Sequence, residues 1–162
     1  MSANPSPFYI PETFSGRRIK FRVPYTMPGE LIVNAETTGI DYPEGTFLHS
    51  VELPFEVWEM SMTGSLLEEG QPFIPPVAGI DKFWRLSVRD LSKNQQITKS
   101  ASLVSNLKDS NTDTWYWRVP YTLVRAEGFQ VTVDNLLSEN QLRSEVSFRG
   151  YLLVLEPASE NR

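Results

Sequence analysis

Three groups of side chains in this sequence have types and spacings that bear on chemistry. The first is a set of carboxylate pairs: Glu56/Glu59, Glu68/Glu69 and Asp109/Asp113. Glycoside hydrolysis needs two carboxylates about 5–10 Å apart in one cleft. Glu56 and Glu59 fall in a strand-like stretch and are expected to point to opposite faces. Glu68/Glu69 falls in a loop and is expected to be solvated. Asp109, Asn111 and Asp113 sit at alternate positions and faintly resemble a calcium loop. However, no glycine is placed for the tight turn and no bidentate Glu follows.

The second group is the lone His49 in a chain without cysteine. Disulfides and thiolate metal sites are excluded, and a zinc site of nitrogen and sulfur ligands has too few donors. A Ser/His/Asp triad would have to use His49, and no nucleophile motif, phosphate loop or dinucleotide fingerprint accompanies it. The expectation is no catalysis, no metal and no cofactor.

The third group is aromatic: Trp58, Trp84, Trp115 and Trp117, with nine Phe and six Tyr. Trp115 and Trp117 alternate along a strand and share a face, as a sugar-stacking platform would require. Residence in the core is the favoured reading, because large aromatics dominate sandwich cores.

The net charge of −5 argues against nucleic acid as a main partner, since phosphate binding needs a basic face. The opening Met1–Phe8, MSANPSPF, has neither the basic nor the apolar region of a secretory signal. No apolar run approaches the roughly 20 residues that cross a bilayer, so no membrane association is expected.

Short strands punctuated by twelve Pro and nine Gly must position these groups. Strands are expected at Ile19–Tyr25, Glu30–Ala35, Phe47–Met62, Phe83–Asp90, Trp115–Leu123, Phe129–Asp134 and Leu142–Leu155, from their period-two alternation. Pro28-Gly29 reads as a turn, Pro54 as an edge or bulge position and Gly150 as a bulge. Residues 64–80 read as a long loop, and Ile97–Leu107 fits either a strand or a short helix. This pattern specifies an all-β fold, an antiparallel two-sheet β-sandwich of jelly-roll type over residues 17–157. An extended N-terminal arm (1–16) precedes it and a polar tail (158–162) follows. The arm holds Pro5, Pro7 and Pro11 together with Phe8, Tyr9, Ile10 and Phe14, and docks either on a partner or on its own domain. A basic run, Arg17, Arg18, Lys20 and Arg22, adjoins it. Sixteen extended residues span up to about 50 Å.

The pentapeptide Arg22-Val23-Pro24-Tyr25-Thr26 recurs as Arg118-Val119-Pro120-Tyr121-Thr122. Each copy reads as a strand that ends at its proline, turns and pairs again. The expected arrangement is two core strands with solvated arginines. The alternative is one surface with Arg22 and Arg118 side by side.

The order of these segments suggests a family. A strand ending in Pro-Tyr-Thr follows the arm. Phe83-Trp84-Arg85-Leu86-Ser87-Val88 leads into Asp90. Then come Arg118-Val119-Pro120-Tyr121, Gly128-Phe129-Gln130-Val131-Thr132-Val133, Asn135-Leu136 and Val146-Ser147-Phe148-Arg149-Gly150-Tyr151. Over residues 19–155 this resembles small β-sandwich structural proteins of tailed bacteriophages, of the capsid decoration or cement type. The resemblance implies a virion protein on the capsid surface, assembled in the host cytoplasm, that binds the major capsid protein and bridges capsomers. It also implies a homo-oligomer, dimer or trimer. The arm and its root, Phe8, Tyr9, Ile10, Phe14, Arg17 and Arg18, are then the partner-binding residues. The alternative is a carbohydrate- or receptor-binding sandwich of a virion fibre, with Trp115 and Trp117 as the ligand platform.

Overall fold

A computed structural model describes residues 11–35, 44–67, 79–98, 101–109, 112–124, 128–137 and 139–158. The strands are β1 (Thr13–Phe14), β2 (Arg17–Val33), β3 (Glu44–Ser50), β4 (Phe55–Leu67), β5 (Trp84–Asp90), β6 (Gln95–Gln96), β7 (Ser102–Leu103), β8 (Thr114–Leu123), β9 (Gly128–Asn135) and β10 (Gln141–Leu155). A 3-10 turn at Ile80–Lys82 and a one-turn helix α1 (Val104–Leu107) lie between them.

One sheet has the order β1-β2-β10-β4-β8. The other has β3-β9-β5-β6, with β7 also on β5. All pairings are antiparallel. Successive long strands alternate between the sheets, so each connection crosses the sandwich. This interleaving of two Greek keys is the jelly roll, as the alternation of the sequence predicts.

Alternate residues of each strand face inward, and the two inner faces meet. Met27, Phe55, Val57, Met60, Met62, Leu142, Val146 and Phe148 from the first sheet pack with Trp84, Leu86, Val88, Phe129, Val131 and Val133 from the second. Phe129 and Phe148 touch across the layers with ring centroids 4.5 Å apart. Gly64 lies against the buried Trp84, where an added Cβ would come within 3.0 Å of Nε1. At the exit of β9, buried Asn135 donates to the carbonyls of Val33, Asn34 and Asn140 and accepts from Leu137 N–H. One side chain thus ties three chain segments together.

Several expected boundaries change. Ile19–Tyr25 and Glu30–Ala35 are one strand, β2, which runs through Pro28-Gly29 opposite Ser147 and Val146. A proline whose missing donor faces away from the ladder leaves the pairing intact, so no turn forms. Phe47–Met62 divides into β3 in one sheet and β4 in the other. Pro54 lies in the crossover between them, where its carbonyl accepts Leu153 N–H at 2.8 Å. β4 continues through Gly64 to Leu67, and residues 68–78 of the expected loop lie outside the described residues. Ile97–Leu107 supplies both kinds of structure, β7 and then α1.

Candidate interaction surface

The strands differ in length, and that difference creates a surface. β2 has 17 residues and β9, in the opposing sheet, has 8. At about 3.3 Å per residue these are about 56 Å and 26 Å. The β2–β10 ribbon therefore overhangs the second sheet. Residues directly opposite in an antiparallel pair share a face. Met27 and Phe148 are such a pair and lie in the core. The same face continues through Tyr25/Gly150, Val23/Leu152 and Phe21/Val154. Tyr25 packs edge-on against Phe55 at 5.3 Å and marks the end of the core. Beyond it Val23 is 45% exposed and Phe21 57% exposed, while Leu152 and Val154 are half-buried. Exposed Leu53 and Val124 flank β4 and β8 at the same end.

The overhang has a basic rim. Leu155 pairs with Ile19 and Val154 with Phe21, so Lys20 is the extra residue of a bulge. Its ammonium lies 5.3 Å over the Phe21 ring. Arg17 and Arg18 are exposed. Arg17 donates through Nε to the Glu156 carbonyl at 2.7 Å, and Nη2 bonds the same oxygen.

The root of the arm is part of this end of the molecule. Thr13 and Phe14 pair with Arg18 and Arg17 across a two-residue turn, Ser15 and Gly16, both with positive φ. Positive φ at both central residues is what the tight hairpin turns matched to strand twist require. The hairpin crosses the expected boundary at residue 16, and Ile19 N–H bonds the Glu12 carbonyl. Phe14 is half-buried. Phe8, Tyr9 and Ile10 lie outside the described residues.

On the other face of the sheet, Arg22 fixes the arm. Its Nε and Nη2 donate to Glu56 Oε1 at 3.0 Å and Oε2 at 3.2 Å, and Nη2 also bonds the Pro11 carbonyl. Trp58 Nε1 donates to Glu56 Oε1 at 2.8 Å. Glu56 is fully buried, and these donors supply hydrogen bonds to both of its carboxylate oxygens. Its proximity to Glu59 comes from a bulge. β10 pairs Arg149 with Glu59 but Gly150 with Val57, leaving Trp58 as the extra residue. Val57 and Met60 are therefore both in the core, and Glu56 and Glu59 share the opposite face. This corrects the expectation that they point apart, because a bulge breaks the period of two. Each carboxylate has its own arginine, Arg22 for Glu56 and Arg149 for Glu59 at 3.1 Å. The bulge expected at Gly150 is this one. A Cβ at Gly150 would lie 1.9 Å from the Glu56 carbonyl oxygen.

The two pentapeptides do not form one surface. They lie on opposite sides of the first sheet, in β2 and β8, and in each the strand continues past the proline at which it was expected to end. Arg22 is not a solvated arginine but the half-buried partner of Glu56, whereas Arg118 is exposed. Tyr121 in the second copy joins the two sheets. Its hydroxyl donates to Asp90 Oδ2 at 2.6 Å. Asp90 also accepts from Ser92 N–H at 2.8 Å and from the Ser92 hydroxyl. Burial pushes the Asp90 carboxyl up, but hydrogen bonds from Ser92, Tyr121 and Lys93 outweigh it and hold it below the usual range. Burial and the neighbouring Asp90 both push the Tyr121 phenol up. No motif or spacing in the sequence points to this junction.

Trp115 and Trp117 stack on one another, with centroids 5.2 Å apart and planes 11° apart. Both are half-buried against the core, so the pair uses one face of each ring internally. Asp113 accepts from Lys108 Nζ at 3.0 Å, and the same ammonium bonds Asp81 at 2.9 Å. Lys108 thus bridges Asp81 and Asp113, and Asn111 lies outside the described residues.

No family model matches the sequence, and no curated protein matches it. Among solved structures it is similar to the decameric BFDV capsid protein, with 9% identity and a TM-score of 0.36, over 82% of this chain and 98% of that one. At that similarity the fold rests on the strand order and register above, and function on the chain's own surfaces.

Proposed function

We propose that this chain is a structural protein of a virus particle, a decoration or cement protein of the tailed-phage kind. It sits on the outer capsid, binds the major capsid protein, and bridges neighbouring capsomers by contact rather than catalysis. It is incorporated during assembly in the host cytoplasm and self-associates as a dimer or trimer. The observation that carries this reading is the overhang: Phe21 and Val23 exposed on a rigid ribbon beside Arg17, Arg18 and Lys20, at the point from which the arm departs. Such a surface fits an apolar projection ringed by carboxylates. Burying the exposed parts of Phe21 and Val23 contributes roughly 2–3 kcal/mol per copy, and the opposite charges steer the docking. Weak contacts of this size become effective when two or three copies are joined in one oligomer and engage the shell together.

The test uses shells of the major capsid protein encoded in the same genome. Wild-type protein should bind them in fixed stoichiometry and raise the temperature at which they dissociate. The Phe21→Ser/Val23→Ser variant, which alters no core residue, and the chain lacking residues 1–10 should each bind more weakly. Wild-type protein that leaves the shells unbound and no more heat-resistant overturns the proposal.

A further inference from the structure

We infer that the outer face of the first sheet binds a neutral carbohydrate, at a site centred on Tyr151, Arg149, Glu59 and Tyr116. This face is turned away from the core and from Phe21 and Val23 of the overhang, so the inference is independent of the virion reading.

The site is a cross-strand row. Thr26 pairs with Arg149, Arg149 with Glu59, and Glu59 with Tyr116. Directly opposite residues share a face, and three strand spacings make the row about 14 Å long. Tyr151 stands two residues beyond Arg149 on the same face of β10. The bulge at Trp58 brings Glu59 into the row. At the same level β8 leaves β4. Between the pairs Glu59/Tyr116 and Val57/Tyr121 it carries residues 117–120 against Trp58 alone. Bulges re-aim side chains and are common beside functional sites.

The surface is hollow here. A concavity of about 320 Å³ is bordered by Pro24, Thr26, Glu59, Arg149, Gly150 and Tyr151. It continues along β2 and β10 into a second, of about 480 Å³, beside Pro28, Glu30, Glu145 and Ser147. Thr26 borders both, so the two form one track long enough for a short oligosaccharide.

The chemistry of the lining selects the ligand. Tyr151 is 37% and Tyr116 46% exposed, and neither hydroxyl has a partner among the described residues. Each phenol offers an apolar ring face with a polar tip, which suits the C–H faces and hydroxyl rim of a sugar. Arg149 Nη1 donates to Glu59 Oε1 at 3.1 Å. The other guanidinium N–H groups and Glu59 Oε2 have no partner among the described residues. This pair is neutral as a unit and so does not select an ion. It sets donors beside an acceptor, which matches a vicinal diol: one hydroxyl accepts from the guanidinium and its neighbour donates to the carboxylate. Glu30 and Glu145 share the single Arg143 beside the second hollow, and that excess negative charge disfavours acidic glycans. Neither hollow is lined by Leu, Ile, Val, Met or Phe, the kind of pocket that anchors the side chains of a bound peptide.

The experiment presents the full chain, coupled in many copies to beads so that weak sites act together, to arrayed neutral oligosaccharides, sialylated and sulfated oligosaccharides, and peptides. Neutral oligosaccharides should be retained and released by the same sugar free in solution. Arg149→Met and Tyr151→Ala should each weaken retention about tenfold or more. Tyr151→Phe, which keeps the ring face, should lose less than Tyr151→Ala. Both positions are exposed, and melting curves establish that the variants are folded; Tyr116→Ala replaces Tyr151→Ala if the latter is not. The Phe21→Ser/Val23→Ser protein should bind the sugar as the wild type does, which separates this site from the shell-binding surface. The inference is overturned if no neutral oligosaccharide is retained, if only acidic glycans or peptides are, if the folded Arg149→Met and tyrosine-to-alanine variants bind undiminished, or if the Phe21→Ser/Val23→Ser protein loses the sugar.

Discussion

The two pentapeptides provide a matched pair of arginines in identical local sequence, and only one of them is buried against a charge. Replacing Arg22 by Met removes the bidentate partner of Glu56 and leaves a fully buried carboxylate with Trp58 as its one side-chain donor among the described residues. Breaking one side of a buried ion pair costs about 3–5 kcal/mol. The Arg22 side chain is 25% exposed, so some solvent reaches the site and the expected loss is at the lower end, about 3 kcal/mol. For a chain of this size that lowers the melting temperature by about 6–12 °C. Arg118→Met, at an exposed position with no ion pair among the described residues, should stay within about 0.5 kcal/mol. Urea unfolding of both variants, followed by tryptophan fluorescence, gives the comparison. The double variant Arg22→Met/Glu56→Leu should recover part of the loss, because no charge remains stranded. Equal unfolding midpoints for Arg22→Met and Arg118→Met would refute the buried-charge reasoning. A double variant no more stable than Arg22→Met would instead place the loss in the lost Pro11 contact.

Gly150→Ala should destabilise by about 2–4 kcal/mol, because its Cβ would overlap the Glu56 carbonyl and a backbone neighbour cannot rotate away; thermal melts check this. Tyr121→Phe should cost about 1.5–3 kcal/mol near neutral pH, where its hydroxyl bonds an ionised carboxylate. The Asp90 carboxyl is lowered in the folded protein, so its contribution is present above the unfolded value near 3.9 and is lost as pH falls through the lower folded value. Tyr121→Phe leaves Asp90 with one lowering hydrogen bond fewer, so the variant should lose less stability than the wild type over this window, and the gap between them should close in acid. Unfolding midpoints measured from pH 7 to pH 2 follow both effects.

The sequence by itself determined the fold class, because alternation of apolar and polar residues over short segments is a local property and jelly-roll strands display it. Gly150 was legible as a bulge for the same reason: glycine in a strand marks a close backbone approach. Ser15-Gly16 carried a hairpin signal as well, within an arm whose prolines otherwise favour extended backbone. Whether a proline ends a strand or lies within one was not legible. That depends on which side of the ladder lacks the donor, and Pro24, Pro28 and Pro120 have meaning only once their neighbours are known. Glu56 and Glu59 came onto one face through a bulge set by β10, about 90 residues away in the chain. The tertiary structure alone decided that Arg22 is buried and Arg118 exposed, since five identical residues cannot distinguish the two sides of the sheet. It also decided that Phe21 and Val23, patterned as core, stand uncovered. Their strand outruns the sheet meant to cover it, and relative strand length is a property of the pair of sheets and not of either sequence segment.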